Sequence, residues 1–409
     1  MIVEILEILD FIINGNIHYL PIHFLVFVLI ACIIKKIYPN NRRYKPKISK
    51  YREKDVSVII PCYNEDRNIL ESAIKSVLRL NPLEVIVSLD GKNKHLDGLV
   101  KKMSGKVKFI KNGRVGKRKA IIEAVERARG KIVLLMDSDT IIKDRNFLKK
   151  ALPYFYADRI VGVGTVHELY YTGSKLALIM GNLIERAREI VDRFLATREC
   201  LNVLDGKASL WRRDYILRVK NEFLNKTFLG RPCHIGDDKE LTYLAYKHGY
   251  GTTFSPEAKI TSAAQESFIK FIKQQIRWNR SGYRFFIERL LGVYKSPSII
   301  FSLHEITYYL SPVSFMISLL LDVFYLPKME ILYIPLFLIP LTLWMGTILL
   351  TILVQLIYFG KVITGKYTLI TAPIGLFIIF PARIYALLTV WKQDIWGTRN
   401  KRKDYGFTL

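Results

Sequence analysis

The chain has 409 residues, more than one compact domain usually needs, and half of them are hydrophobic. Its net charge of +26 suits nucleic acid, anionic lipid or an anionic substrate, but long apolar segments towards both ends disfavour a soluble nucleic-acid-binding protein. The four cysteines have neither paired nor metal-ligand spacing, which argues against a disulfide framework or a zinc site.

The first part of the chain predicts a membrane anchor. Residues 1–18 are apolar but too short and too charged to span, so an interfacial segment is expected. Residues 19–38 predict a transmembrane helix. The basic linker 39–54 follows, and its positive charge places the C-terminal end of this helix in the cytoplasm. A cleaved secretory signal is the alternative, but no small-residue cleavage site follows.

Residues 55–262 alternate strand-like and helix-like segments, which predicts a cytoplasmic α/β domain with a parallel sheet and flanking helices. The clearest strand is Lys131–Asp139, KIVLLMDSD, an apolar run that ends in two carboxylates. The other predicted elements are strands at Val56–Ile60, Leu83–Leu89 and Val107–Ile110, and helices at Asn68–Leu80 and Gly116–Arg129.

The carboxylates at the end of this strand are candidate metal ligands. Asp137 and Asp139 are two residues apart, so they point the same way on an extended segment. They can therefore share one hard cation, which takes oxygen ligands and often a phosphate. For this stretch alone, a solvated turn is an equally good interpretation.

Three further positions lie at strand ends or at a helix start. In Pro61–Glu65, PCYNE, Tyr63 and Glu65 offer an aromatic ring and a carboxylate that can grip a nucleoside, and Asp90 ends the next strand. Lys117 in the segment GKRK begins a helix, where backbone N–H groups and cations favour phosphate. Each position alone is also explained by a turn or a solvated run of charge.

A second acidic pair, Asp237 and Asp238, predicts a general base. Neighbouring carboxylates repel each other, which tends to raise the pKa of one of them towards neutrality. The alternative is helix capping, for which aspartate is common at a helix N-terminus.

Residues 175–198 and 266–290 predict amphipathic helices, and the second of these lies in a segment, 263–292, expected at a membrane surface. Within it, Gln274 belongs to the sequence QQIRW, in which Arg277 can clamp a diphosphate and Trp278 can stack on a sugar. An interfacial Trp–Arg pair is the alternative. The basic face is predicted to comprise Lys270, Lys273, Arg277, Arg280 and Arg284.

The C-terminal part predicts two transmembrane helices, over residues 298–326 and 331–359. His304 and Glu305 lie in the first and are candidate wall residues of a polar pathway. Residues 360–394 are also apolar, but a span there would export the basic tail 395–409, against the positive-inside bias. An interfacial or re-entrant segment is therefore expected.

Taken together, PCYNE, Asp90, DSD, GDD and QQIRW occur along residues 55–280 in an order that resembles the family-2 glycosyltransferases, which are inverting enzymes that use nucleotide-diphospho sugars. The combination is similar to the membrane-embedded processive branch of cellulose, chitin and hyaluronan synthases. Within that branch, CHIGDDKELT, QQIRWNRSGYRFF and the tail segment WGTR most resemble hyaluronan synthases. Two departures are that Phe286 stands where an acid is expected and that Asp205-Gly206-Lys207 replaces a Ser-Gly-Pro segment near the acceptor sugar.

The resemblance implies a GT-A, Rossmann-like α/β domain with amphipathic interface helices and about three transmembrane helices. Asp137 and Asp139 would hold Mg²⁺ or Mn²⁺ on the donor diphosphate, and Asp238, beside Asp237, would be the catalytic base. A WGTR tail would close over UDP. The donor-binding residues implied are Tyr63, Glu65, Asp90, Lys117, Asp137, Gln274, Arg277, Trp278, Trp396 and Arg399.

The implied partners are a UDP-sugar donor (UDP-GlcNAc and/or UDP-GlcA), a growing polysaccharide acceptor and membrane lipid, but no nucleic acid. The expected protein is a monomer in the plasma membrane, with its catalytic domain and C-terminus in the cytoplasm. One alternative is a non-processive enzyme that adds a single sugar to a lipid carrier. A membrane transporter would need more spans, and a basic nucleic-acid binder would have no use for the carboxylates.

Overall fold

The computed structural model describes residues 49–103, 105–113, 115–325, 348–349, 351–357, 360–362 and 364–393. The chain divides into two compact units. One comprises Met1–Pro39 and His304–Ile384, and the other comprises Asn40–Leu303 and Tyr385–Leu409. The predicted helix 19–38 and the tail with Trp396 and Arg399 lie outside the described residues, as does most of the predicted span 331–359.

The larger unit is built on an eight-stranded sheet in the order β3-β2-β1-β4-β7-β6-β10-β5, and β8 and β9 form a separate pair. The strands are β1 Val56–Cys62, β2 Glu84–Asp90, β3 Lys108–Asn112, β4 Ile132–Met136, β5 Thr140–Ile141, β6 Ile160–Tyr170, β7 Ala208–Arg212, β8 Thr227–Phe228, β9 Arg231–Pro232 and β10 Gly251–Ala263.

The sheet is mixed, so the prediction of a parallel sheet is right for β3-β2-β1-β4 and for the pair β6 and β10, and wrong for β7 and β5. β1 is parallel to β2 and β4, and β2 is parallel to β3. β7 is antiparallel to both β4 and β6, and β5 is antiparallel to β10. β1, β2 and β4 are mainly apolar runs typical of strands covered on both faces, whereas β7, with the sequence ASLWR, mixes small, polar and charged residues and gives little signal.

Helices cover both faces of the sheet. In chain order they are α1 Arg67–Leu78, α2 Asp97–Met103, α3 Lys117–Arg127, α4 Phe147–Ala151, α5 Lys175–Ala196, α6 Arg213–Leu224, α7 Asp237–Lys247 and α8 Phe268–Leu290. Successive side chains of β1 enter different cores: Ile60 packs in the core with α1, and Ile59 in the core with α3, α6 and α7. The predicted helices over 175–198 and 266–290 match α5 and α8 to within two residues.

The parallel strands bring the predicted site residues to one edge of the sheet. In the register of β1 with its neighbours, Cys62 pairs with Leu89 and Ile59 pairs with Leu135. The segments after β1, β2 and β4 therefore leave the sheet at the same edge. This is the edge at which open α/β sheets bind ligands.

Arg284 was predicted to lie on the basic face of α8, and this prediction is wrong. Arg284 is fully buried, its guanidinium lies 3.1 Å from Glu240 Oε2, and it stacks 4.2 Å from the centre of the Phe285 ring. Helical spacing places a charge on a face, but it does not reveal a buried carboxylate on the neighbouring helix that receives it.

In the smaller unit, the predicted span 298–326 corresponds to a helix that begins in the larger unit, α9 Ile299–Tyr325 with Pro312 inside. His304 and Glu305 are both buried. Towards the C-terminus, α10 Thr368–Ile374 and α11 Phe380–Leu387 are joined by a π-helical turn, Gly375–Ile379. Among the residues that the structure describes, Gly365–Leu387 is the one helical stretch long and apolar enough to cross a membrane.

Candidate active site

The central feature of the site is a cluster of carboxylates bridged by two lysines. Asp137 and Asp139 follow β4, and Lys117 is the first residue of α3. Lys117 Nζ lies 2.9 Å from Asp137 Oδ1 and 3.0 Å from Asp237 Oδ2. One ammonium group therefore joins the two acidic pairs that the sequence analysis treated separately.

Lys207 is the second bridging lysine, and its place was not predicted. Its Nζ lies 2.9 Å and 2.8 Å from the two carboxylate oxygens of Asp139 and 3.7 Å from Asp137 Oδ2. Burial opposes ionisation of Asp139, but Lys207 outweighs it and lowers the pKa of that carboxyl. The signal that could have revealed this contact was the lysine of Asp205-Gly206-Lys207, which we considered only in relation to the acceptor.

Asp237 and Asp238 begin α7, directly after Gly236, which has a left-handed φ of 73°. Burial opposes ionisation of Asp237, but Lys117 outweighs it and lowers the pKa of Asp237. Burial, with the charges of Asp237 and Asp205, raises the pKa of Asp238 to about 6. The pair thus has two roles open to it, because one carboxylate stays ionised and the other can exchange a proton near neutral pH.

Gly206 leaves room above this acidic pair. A side-chain carbon at Gly206 would lie 3.6 Å from Lys117 Nζ and 3.7 Å from Asp238 Cβ. The absence of a side chain opens a cleft over Asp238 in which a ligand can approach the carboxylate. The residues lining this cleft include Pro61, Lys117, Asp137, Gly206, Asp237 and Asp238.

Asp90 is buried and holds the start of α3 rather than facing the cleft openly. Its two carboxylate oxygens accept hydrogen bonds from the backbone N–H groups of Val115 at 2.7 Å and Gly116 at 3.1 Å. These bonds fix the helix start and so aim Lys117 at Asp137. The predicted contact of Asp90 with a nucleoside stays a prediction.

Of the three cations in the GKRK segment, only Lys117 reaches the carboxylates described above. Arg118 is buried and donates to the carbonyl oxygens of Phe223 and Ile235, and Lys119 is exposed. The interpretation of the segment as a phosphate-binding charge run therefore applies to one residue at most.

The PCYNE segment lies beside the metal-candidate aspartates. Ser138 Oγ donates a hydrogen bond of 2.7 Å to Glu65 Oε2, and Tyr63 is half-buried. The segment therefore lines the same edge as Asp137 and Asp139.

The QQIRW segment of α8 lies beside the same cluster. Burial lowers the pKa of Arg277, while the charges of Asp237, Asp238 and Asp137 act against this shift. Gln274 and Trp278 line a second cavity, and Lys207 lines it too. Lys207 thus lines the cavity beside α8, while its ammonium group contacts Asp137, which lines the cleft over Asp238.

Glu240, which the sequence analysis did not select, ties α7 to α8. It is fully buried, and its carboxylate oxygens lie 3.1 Å from Arg284 Nη2, 2.6 Å from the Tyr294 hydroxyl and 3.8 Å from Arg118 Nη2. This ion cluster fixes the helix that carries Asp238 against the helix that carries Arg277.

A second buried ionic network fixes the loop before β7. Arg188 Nη2 lies 2.7 Å from Asp205 Oδ2 and 2.6 Å from Glu185 Oε2, and His167 Nδ1 lies 3.3 Å from Asp205 Oδ2. Burial would lower the pKa of His167, but Glu185 and Asp205 raise it to about 9. The ligand atoms of His167, Glu185 and Asp205 lie within 4.8 Å of one another, but the Arg188 guanidinium already pairs with both carboxylates, which favours an ion-pair network over a metal site.

The donor set of Asp137 and Asp139 fits a hard divalent cation. Both side chains are about a quarter exposed on the ligand edge of the sheet, and their oxygens are the ligand type that Mg²⁺ and Mn²⁺ take. The Lys207 ammonium lies on the same oxygens, so a cation bound there has to displace it.

The fold and the site define a GT-A glycosyltransferase. A mannosyltransferase from Pyrobaculum calidifontis, solved in complex with GDP-Man and Mn²⁺, superposes with a TM-score of 0.59 over 87% of this chain and 95% of its own, at 16% sequence identity. The family model "Glycosyltransferase like family 2" matches residues 53–281, more than half of the chain. The chain therefore belongs to the family-2 glycosyltransferases.

The chain is also similar in sequence to two curated relatives. The chain is 26% identical to a hyaluronan synthase from Streptococcus pyogenes over 373 residues, which cover 88% of this chain and 86% of the synthase. It is 28% identical to an N-acetylglucosaminyltransferase from Azorhizobium caulinodans over 56% of this chain. That match spans only 60% of the length of the rhizobial protein.

Proposed function

We propose that the protein is a processive, inverting glycosyltransferase that polymerises sugar from UDP-sugar donors and passes the product, hyaluronan or a related polysaccharide, through a channel formed by its own membrane segments. The observation that carries the proposal is the meeting of Asp238, Lys117 and Asp137 at one cleft. Similarity to a hyaluronan synthase over most of both chains supports the class of product.

Asp238 would act as the base. An acceptor hydroxyl that enters the cleft under Gly206 would give its proton to Asp238, and its oxygen would attack the anomeric carbon on the face opposite the departing UDP. Asp237 would remain ionised against Lys117, so its negative charge keeps Asp238 basic enough to accept the proton.

Asp137 and Asp139 would hold Mg²⁺ or Mn²⁺, and the ion would supply positive charge against the charge that develops on the departing UDP. The neighbour solved with Mn²⁺ supports this choice of cofactor. Tyr63 and Glu65 would contact the nucleoside, with Asp90 as a further candidate. The ammonium group of Lys117 would contact the phosphates of the donor.

The C-terminal tail would close the donor site. The carbonyl of Gln393 accepts hydrogen bonds from the N–H groups of His234 at 3.1 Å and Ile235 at 3.3 Å, just before the acidic pair. Trp396 follows three residues later, and three extended residues reach roughly 10 Å. This docking supports the proposed closure of Trp396 and Arg399 over UDP, with Gln274, Arg277 and Trp278 on the other side.

The membrane part of the proposal concerns location and export. We propose a monomer in the plasma membrane with about three spans and a cytoplasmic catalytic domain. The helix Ile299–Tyr325, which corresponds to the second proposed span, supports it, as does the burial of His304 and Glu305. The donors proposed are UDP-GlcNAc and/or UDP-GlcA.

The test is the substitution Asp238→Asn, which keeps the shape of the side chain and removes its basicity. We expect turnover of UDP-sugar to fall by roughly 10²–10⁴-fold, the usual contribution of a general base, while UDP still binds. UDP release and UDP binding are both measured on the full-length protein.

The matched control is Asp214→Asn. Asp214 is the second residue of α6 as Asp238 is of α7, but it is exposed and lies outside the cleft. Its turnover should stay within about twofold of wild type, as expected for an exposed substitution. Wild-type turnover in Asp238→Asn would show that another group takes the proton.

A further inference from the structure

In a typical metal-binding pair of carboxylates the oxygens are open to solvent, whereas here Lys207 already occupies them. Its ammonium group contacts both oxygens of Asp139 and one oxygen of Asp137. A divalent cation takes the same oxygens at shorter range. Two cations cannot share these oxygens without strong repulsion, so the lysine and the metal compete.

The position of Lys207 is built into the fold. Met136 pairs with Ala208 across β4 and β7, and the carbonyl of Lys207 accepts a hydrogen bond of 3.2 Å from the N–H of Asp137. The backbone of residue 207 is therefore fixed beside the aspartates, and only its side chain is able to move.

Asp205 holds the other end of the loop. One carboxylate oxygen accepts a hydrogen bond of 2.9 Å from the N–H of Lys207, and the other lies 2.7 Å from Arg188 and 3.3 Å from His167. The network of α5 and β6 thus presents Lys207 to the site from a rigid base. A surface lysine making a chance ion pair would lack this support.

We propose that Lys207 is a tethered cation which occupies the Asp137–Asp139 pair, yields it to a divalent ion when nucleotide diphosphate binds, and then pairs with the diphosphate. The proposal rests on the proposed function for the presence of a nucleotide donor. Lys207 would thereby control the metal affinity of the site. Without a diphosphate the site would bind metal weakly, and with a diphosphate that pairs with the displaced ammonium it would bind metal tightly.

The first experiment measures binding of Mn²⁺ alone to the full-length protein by the loss of the free Mn²⁺ signal in electron paramagnetic resonance. In Lys207→Met the competing charge is gone, so Mn²⁺ should bind at least about tenfold more tightly than to wild type. Lys207→Arg keeps a cation and should stay within about threefold of wild type.

The control variant is Lys143→Met. Lys143 is an exposed lysine four residues after Asp139, so its removal changes the net charge equally without emptying the aspartate pair. Its Mn²⁺ affinity should match wild type within about twofold, because exposed charges are screened. Equal Mn²⁺ affinity of wild type and Lys207→Met would overturn the proposal.

A second arm adds UDP. In wild type the displaced ammonium gains the diphosphate, so UDP should tighten Mn²⁺ binding more than it does in Lys207→Met, and the difference between the two proteins should shrink. A purely structural role for Lys207 would not produce this coupling. A difference that is unchanged by UDP would contradict the transfer of the lysine to the diphosphate.

Folding is checked by the melting curve of each variant. If Lys207→Met does not fold, acylation of lysine amines in the wild-type protein is measured instead. Mn²⁺ should increase the labelling of Lys207 but not that of Lys143. Unchanged labelling of Lys207 would overturn the proposal. Neither readout needs sugar transfer. A protein that shows these Mn²⁺ effects but never releases UDP from a UDP-sugar would refute the proposed function and leave the competition intact.

Discussion

Asp238 and Asp237 show how two identical side chains acquire different chemistry from their contacts. Asp237 is paired with Lys117 at 3.0 Å, which keeps it ionised. Lys117 also acts on Asp238, but burial and the charges of Asp237 and Asp205 outweigh it and raise the pKa of Asp238 to about 6. Adjacent acids suggested this division, but only the structure shows which of the two receives the lysine.

The pKa of Asp238 predicts an acidic limb in the pH profile of turnover. The carboxylate has to be ionised to accept a proton, so kcat/KM should fall as the pH drops through about 6. An unshifted aspartate, with a pKa of 3.8, would leave the rate flat in this range. Steady-state UDP release between about pH 5 and about pH 8 measures the limb.

A profile that stays flat down to about pH 5 would contradict this account of Asp238. Loss of protein stability has to be separated from loss of the base. The melting temperature is therefore measured across the same pH range, and pH values at which the protein begins to unfold are left out of the fit.

At the scale of secondary structure, the helix α7 depends on Gly236 for its approach to α8. Gly236 has φ +73°, and a side-chain carbon there would overlap Ser281 Oγ and lie 3.1 Å from Ser281 Cβ. Gly236→Ala should therefore destabilise the protein and reduce turnover, because α7 has to move and carries Asp238 with it.

Gly249 offers a matched control just after the other end of α7. It has φ +74°, but a side-chain carbon at Gly249 meets open space. Gly249→Ala should cost about 1–2 kcal/mol of backbone strain and leave turnover near wild type. Melting temperature and UDP release are measured for both variants, and equal losses of turnover would show that the contact with Ser281 has no functional role.

The sequence predicts elements well where patterns are local. β1, β2, β4, α5 and α8 are recovered to within two or three residues, because apolar runs and helical spacing are properties of neighbouring residues. β7 was not predicted, and its antiparallel place between β4 and β6 depends on contacts distant in the chain.

The same limit applies to the site. The acidic pairs and the QQIRW segment are visible in the sequence, and the order of the strands predicts that the first of them gather at one edge. The three ion clusters around Lys207, Glu240 and Asp205 are not visible, since each joins charges that are far apart in the chain. The sequence shows that a residue is charged but not which residue it pairs with, as the ion pair of Arg284 with Glu240 illustrates.

At the scale of the whole molecule, the chain contains both a family-2 glycosyltransferase domain and apolar segments outside it. The family match ends at residue 281, whereas the similarity to a hyaluronan synthase extends over 88% of the chain. The similarity to a hyaluronan synthase therefore includes residues beyond the catalytic domain. This supports a proposal of polymerisation over one of single-sugar transfer, and it makes the size of the product the decisive quantity.

The most direct test of the account is the size of the product made by the purified full-length protein. It is incubated with Mn²⁺ and with UDP-GlcNAc and UDP-GlcA, singly and together, and UDP release and product length are measured. We predict long chains that appear early in the reaction, with the Asp238→Asn variant releasing almost no UDP. A product extended by one sugar, or no release of UDP with any UDP-sugar, would contradict the account.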